Sequence, residues 1–388
     1  MEYTKIKKIN EYISKSINPM KTPNTIFEVY SVPSFSTEHP EYLRGDEIAS
    51  NKAVVKKNDV LLCKINPRIN RVWVVADESE YQNIASSEWI IIRNSDYNPE
   101  FLAWYFRNPK FKNLMISGVT GMGGSLMRAQ PKNVAEYPVP ILKREKQDEI
   151  VSILNKVARV IEFRKKEIQE LDKLIKARFV EMFGDPVNNE KGFVKAPMGD
   201  YMTVLTDFSS NGSYKTLDNG VIMYDEPNYA WMVRTTDLES GDMASIKYID
   251  ESAYELLSKS KIFGGEIIMN KIGSAGKIYL MPQTDMPASL GRNAFMFRYD
   301  ERINVKFLYY LLTSDYGQNE IQQYVRGAVT KTITKSDARS VRIIVPPIEL
   351  QNEFEAFAHQ VDKSKVAVQK ALDEAQLLFD SLMQEYFG

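Results

Sequence analysis

The sequence predicts an α+β protein. Two β-rich bodies are separated by a long antiparallel two-helix coiled coil and related by a pseudo-two-fold internal repeat. Three observations carry this reading. Two long stretches lack Gly and Pro in their interiors and space their apolar residues as helices do. The chain matches itself at a nearly constant offset of 204 to 207 residues. Before each long stretch lie short apolar runs bounded by Pro, Asn and charged clusters, the pattern of strands.

The first long stretch covers 143–186. Its apolar residues recur at Ile150, Leu154, Val157, Ile161, Ile168, Leu171, Ile175 and Phe179, close to alternating steps of three and four. Pro138 and Pro140 precede it, and Gly184 and Pro186 close it. At about 1.5 Å per residue this helix is roughly 60 Å long. The second stretch, 349–388, has the seam Phe354, Phe357, Val361, Ser364, Val368, Ala371, Ala375, Leu378 and Leu382. Residues 143–183 carry 11 Lys+Arg against 8 Asp+Glu, net +3, and residues 349–388 carry 3 Lys against 8 Asp+Glu, net −5. Opposite charge predicts that the two helices pair with each other.

The repeat runs through the bodies as well. NPEFLAWYFR at 98–107 resembles NVKFLYYLLT at 304–313, and NDVLLCKI at 58–65 resembles GEIIMNKI at 265–272. YPVPIL at 137–142 resembles IIVPPI at 343–348. Strands are expected at 26–32, 59–65, 72–75 and 89–92 in the first body. In the second they are expected at 221–224, 231–233, 266–269, 277–280 and 293–297. One helix is expected in each body, near 99–115 and 305–325. The domains therefore read as bodies at 1–142 and 187–348, with spacer helices at 143–186 and 349–388.

Composition narrows the function. The 388 residues are 44% apolar and 26% charged, with a net charge of −1, values of a folded soluble protein. No apolar run is long enough to span a membrane, and MEYTKIKKIN lacks the core of a signal peptide. A cytoplasmic location is the expectation. The lone cysteine, Cys63, sits in the run Val60-Leu61-Leu62-Cys63 and reads as a buried thiol.

Catalytic signatures are missing. His39 and His359 are isolated, and no zinc-binding or P-loop pattern occurs. Gly121-Met122-Gly123-Gly124 follows a predicted helix rather than a strand, so it does not read as a dinucleotide site. The chain is expected to be no enzyme and to hold no metal or cofactor.

Binding features recur in both bodies. Each has a basic, polar turn between strands: Lys64-Ile65-Asn66-Pro67-Arg68-Ile69-Asn70-Arg71 and Lys271-Ile272-Gly273-Ser274-Ala275-Gly276-Lys277. Each also has a polar loop before its last strand. One spans 118–132 with Ser125, Arg128 and Gln130; the other spans 326–335 with Thr330, Lys331, Thr332 and Lys335. Arg234-Thr235-Thr236 follows the apolar run Trp231-Met232-Val233, where Trp231 reads as core. Such side chains offer donors to phosphates and base edges. Two like bodies a fixed distance apart suit double-stranded DNA. The alternative is a two-domain coiled-coil protein-binding scaffold without DNA recognition.

With these residues in view, the chain resembles the specificity subunit of a type I restriction-modification system over its whole length. Gly273-Ser274-Ala275-Gly276-Lys277 resembles the family's Gly-x-x-Gly-Lys hairpin. Gly327-Ala328-Val329-Thr330-Lys331-Thr332-Ile333 resembles its Gly-x-x-x-x-x-Leu/Ile loop. Pro346-Pro347-Ile348-Glu349-Leu350-Gln351 resembles its Pro-Pro-Leu-x-x-Gln junction. The first body departs: its turn has Asn66-Pro67-Arg68 without the glycines, and Gln147 is displaced from Val139-Pro140-Ile141.

The resemblance implies a non-catalytic DNA reader whose two target-recognition domains each read one half of a bipartite, asymmetric site. The helices would set the gap and dock two modification (methyltransferase) subunits, which use S-adenosylmethionine. Restriction subunits, which use ATP and magnesium, would join them. On this reading Arg68, Arg71, Arg128, Lys277, Lys331 and Lys335 contact phosphates or bases. Asn66, Ser274, Arg234, Thr330 and Thr332 are the candidate base-edge readers.

Overall fold

The computed structural model describes residues 2–76, 78–120 and 127–388. They form two compact units. Residues 1–166 and 369–388 make the first, and 167–368 make the second. Both long helices, Arg144–Phe183 and Ile348–Phe387, are therefore divided between units.

The first unit holds a five-stranded sheet in the spatial order Glu41–Arg44, Ile26–Tyr30, Gln82–Ala85, Lys52–Val54, Ser16–Ile17. Ile26–Tyr30 and Gln82–Ala85 run parallel and their other neighbours antiparallel. A three-stranded antiparallel sheet, Val72–Val74, Val60–Cys63, Trp89–Ile92, completes the β-rich part. Val60–Cys63 is buried along its length, as a continuous apolar run between covering elements requires. Cys63 is a buried thiol, and burial pushes its pKa up. Tyr3–Lys5 pairs with Pro138–Pro140 as a small separate ribbon. Proline lacks the N–H that a central strand must donate, so Pro-Val-Pro fits only at such an edge.

The second unit repeats this order. Lys247–Ile249, Ala230–Val233, Ala288–Leu290 and Lys261–Ile262 form one sheet, again with one parallel pair inside. Met202–Asp207, Ala294–Tyr299, Ile267–Asn270 and Ile278–Leu280 form the other. Val194–Pro197 pairs with Arg342–Val345. Trp231 is core, 1% exposed.

Some expectations need correction. The helix expected over 99–115 is two helices, Pro99–Arg107 and Pro109–Ser117, and that over 305–325 is Val305–Thr313 and Asp315–Gln322. Asn108 and Ser314 break them, because each side chain accepts a backbone N–H of the following helix as an N-cap. No strand forms over 221–224; only Tyr224 bridges, to Tyr248.

Each unit packs its helix pair against parts of both long helices. In the first, Phe101, Tyr105 and Trp104 meet Phe387 and Phe379, beside Ile150, Val151 and Leu154. In the second, Phe307 meets Phe179 and Phe183, which also contact Phe354. There Arg178 pairs with Glu353 at 2.8 Å and Lys365 with Asp172 at 2.5 Å, so the two segments run antiparallel. The seam of the second long helix differs from expectation beyond Val368. Leu378 is 52% exposed, while Met383 and Phe387 are buried. The aromatic surface of Pro99–Arg107 selects that face, because it offers Phe387 and Phe379 ring contacts.

A buried ion pair braces each unit. Arg93 bonds Asp59 twice at 2.6 Å, and Arg298 bonds Glu266 at 3.0 Å. Both carboxylates also accept backbone N–H groups, from Lys56 in one unit and from Phe263 and Gly264 in the other.

Candidate nucleic-acid interface

In each unit the basic turn and the polar loop are joined to each other. Ala129 N–H donates to Lys64 O at 2.9 Å, and Asn66 N–H donates to Met127 O at 2.8 Å. In the second unit Ile333 N–H donates to Lys271 O at 3.0 Å, and Gly273 N–H to Lys331 O at 2.9 Å. These are the same two bonds, one offset of the repeat apart. Backbone pairing rather than side-chain chemistry therefore builds the surface, and leaves the side chains free to differ.

The two turns reach this position by different backbone routes. Asn66 is left-handed at φ 43°, and Pro67 starts a short 3-10 turn. Gly273 and Gly276 lie at φ 81° and 87°. At Gly276 a Cβ would stand 2.5 Å from the Ile321 side chain, so this position needs glycine twice over.

A carboxylate gathers the basic side chains of each pair of segments. In the first unit Glu88 takes Arg128 Nε at 3.3 Å and Lys64 Nζ at 3.9 Å. In the second, Asp207 takes Lys271 Nζ at 2.7 Å and Lys335 Nζ at 2.8 Å, with Ser209 and Ser210 hydroxyls at 2.7 and 2.6 Å. Burial alone would raise the Asp207 pKa. Lys271, Lys335, Ser210 and Ser209 together outweigh it and hold the carboxyl well below its usual range.

The sequence-selected residues fall into three groups. Arg68, Ser274, Thr330 and Lys331 are exposed, with their side chains toward solvent. Arg128, Lys277, Lys335 and Arg234 are held by carboxylates. Lys277 bonds Glu239 at 2.5 Å, and Arg234 forks onto buried Asp237 while also donating to Ser245 O. Arg234 belongs to neither segment and is the N-cap of the helix Thr235–Ser240, whose Glu239 takes Lys277. Asn66 and Arg71 are half-buried, and Thr332 is exposed with its backbone paired. Asn66 Oδ1 is buried with no hydrogen-bond partner among the described residues. Arg71 lies beside the Cys63 thiol, and Thr332 exchanges backbone bonds with Arg326. Ser125 lies outside the described residues.

Four residues of this surface were not singled out from sequence. Lys64 and Lys271 follow matched strands at the same offset, a usable signal. Glu88 and Asp207 come from unrelated positions of the repeat, so no self-match points to them. A further pair joins each body to its helix. Buried Gln147 Oε1 accepts Asn98 N–H at 2.8 Å, and its amide donates to Leu142 O. Buried Gln351 does the same with Asn304 N–H at 2.9 Å and Pro346 O. Gln147, displaced in sequence, thus occupies the same joint as Gln351.

Among the described residues no group of three His, Cys, Asp or Glu side chains could hold a metal, and no helix is long and apolar enough to cross a membrane. Two β-rich units, each presenting an interlocked basic turn and polar loop and each anchored on segments of the long helices, define a class of binding protein built by internal repetition. Comparison with known proteins places the chain further. The sequence pattern described as the type I restriction modification DNA specificity domain matches residues 2–173 and 199–375, and the chain belongs to that family. Its role is DNA sequence recognition, without catalysis of its own.

The type I restriction enzyme MjaVIII specificity subunit of Methanocaldococcus jannaschii is 23% identical over 371 residues, covering 87% of this chain and 83% of that protein. The putative MjaX specificity subunit of the same organism is 22% identical over 360 residues, 85% and 79% of the two chains. Among solved structures, the type I restriction-modification S subunit from M. genitalium has a TM-score of 0.57 at 12% identity, covering 100% of this chain and 96% of that one. A chain from a type I R-M system, solved for its complex assembly and conformational transition, has a TM-score of 0.58 at 19% identity, covering 100% and 97%. These two structures share the fold.

Proposed function

We propose that the two bodies, 1–142 and 187–348, are target-recognition domains, each reading one half of a bipartite, asymmetric DNA site. The spacers 143–186 and 349–388 pair antiparallel as a coiled coil and fix the gap between the half-sites. The observation that carries this is the matched joining of turn and loop in both units, with Arg68 and Lys331 exposed on them. Identical backbone bonds with different side chains are what two readers of different sequences need. The helix contacts inside each unit, such as Arg178 with Glu353, support the spacer.

On this reading the chain brings a DNA address to its partners. Two modification subunits carry S-adenosylmethionine, and restriction subunits carry ATP and magnesium. The test is selection of bound duplexes from a random pool by the full chain. A split motif with unlike halves is expected; a single undivided motif, or none, would overturn the reading. Arg68→Ala and Lys331→Ala should each weaken binding and reduce the log–log salt slope by about 0.9 if they meet phosphates.

A further inference from the structure

The carboxylate of the first unit stands where a DNA phosphate would serve as well. Lys64 and Arg128 converge on Glu88 from the turn and from the loop, the two segments assigned above to DNA. The contacts are long, at 3.9 and 3.3 Å; the Arg128 side chain is 47% exposed, and those of Lys64 and Glu88 are half-buried at 22% and 27%. Among the described residues no other carboxylate pairs with the Lys64 or Arg128 side chain. Glu88 itself is fixed through its backbone, since Lys64 N–H donates to Glu88 O at 3.1 Å and Glu88 N–H to Ser86 Oγ at 3.2 Å. Its side chain is thus a tethered anion within reach of two releasable cations.

We propose that Glu88 is an internal competitor of DNA phosphate that weakens this unit's binding to every duplex. It occupies Lys64 and Arg128 in place of phosphate, so DNA of any sequence must displace it to gain those two contacts. Displacement costs the same on every duplex. It lowers matched and unrelated affinities by the same factor, so the weaker unrelated binding is the first to fall below occupancy while the ratio of the two is unchanged. A buried carboxylate could not do this, because its cations could not leave. Asp207 is 5% exposed and holds Lys271 and Lys335 at 2.7 and 2.8 Å, so it anchors rather than competes. The inference rests on the DNA-reading assignment of turn and loop.

The experiment measures full-chain binding to an unrelated duplex across a salt series, for the unsubstituted protein, Glu88→Gln and Lys64→Gln/Glu88→Gln. Gln keeps the shape and removes the charge. Releasing two cations should steepen the slope by about 1.8 and tighten binding roughly tenfold at low salt. The double variant should lie about 0.9 below Glu88→Gln. Matched and unrelated duplexes should tighten by the same factor in Glu88→Gln, leaving their ratio unchanged. An unchanged slope in Glu88→Gln, with Arg68→Ala still lowering it, would overturn the competitor role and leave the DNA reading standing. Weaker binding of the matched duplex alone would make Glu88 a base reader, and would also overturn it. Absence of any salt-dependent DNA binding by the unsubstituted chain would overturn the DNA reading itself.

Discussion

Each unit builds its own turn-and-loop surface on the same backbone bonds, and the two stabilise it in different ways. In the first, a half-buried Glu88 holds its lysine and arginine at longer distances, with the arginine half-exposed. In the second, Asp207 is enclosed by two lysines and two serines. Duplication has kept the pairing of turn with loop and has not kept the source of the charge. The frame is therefore the shared part, and each unit finds its own counter-ion. An exposed pair adds little stability and exchanges partners freely, whereas breaking a buried one strands an unpaired charge and is costly.

The sharpest test sets the two carboxylates side by side. Asp207→Ala leaves Lys271 enclosed and unpaired, so it should cost about 3–5 kcal/mol in denaturant unfolding. Glu88→Ala should cost under about 1 kcal/mol. Equal losses would break the contrast.

Acid adds a second reading of it. The folded Asp207 carboxyl lies below its usual range, so its contribution is complete above the unfolded value of about 3.9. That contribution is lost as the pH falls below this value toward the lower folded one. Asp207→Asn should remove this part of the acid sensitivity, seen as a flatter dependence of melting temperature on pH below about 4.

The joints should behave alike where the clamps differ. Gln147→Ala and Gln351→Ala each delete a buried amide bonded on both sides, and should each cost about 1–3 kcal/mol by chemical denaturation. A large gap between them would show that the displaced glutamine is not equivalent. The smallest effect belongs to the outer faces of the long helices. Leu174 and Leu378 occupy matching positions and are 47% and 52% exposed. Serine at either should shift stability by no more than about 0.5 kcal/mol.

Much of the frame was legible because apolar spacing reports it directly. Both long helices, the strands at Val60–Cys63 and Ala294–Tyr299, and the repeat all follow from period and self-match. The break between Pro99–Arg107 and Pro109–Ser117 was signalled by Asn108-Pro109, but the continuous apolar pattern around it dominates the reading. The edge ribbon of Pro138–Pro140 was hidden because proline argues against strands in general and not against this one place.

The site was legible in its backbone and less so in its charges. Turn and loop were found separately, and their joining was not. Asp207 lies at the end of Met202–Asp207, over 60 residues before Lys271 and over 120 before Lys335. No local pattern connects them. Arg234 reads from sequence as a free donor, because the fork it makes with Asp237 depends on the N-cap geometry of the helix that follows it.

The division of the long helices also has a consequence in time. Phe379, Met383 and Phe387 help fill the core made by Phe101, Tyr105 and Leu154. Those three residues leave the ribosome only after all of 167–368. The first unit to be synthesised is thus the last to be finished, with an apolar groove uncovered while the second unit is made. Translation pauses or a shortened final segment should therefore harm the earlier-made half, and chaperones that recognise exposed apolar surface should be found on it first.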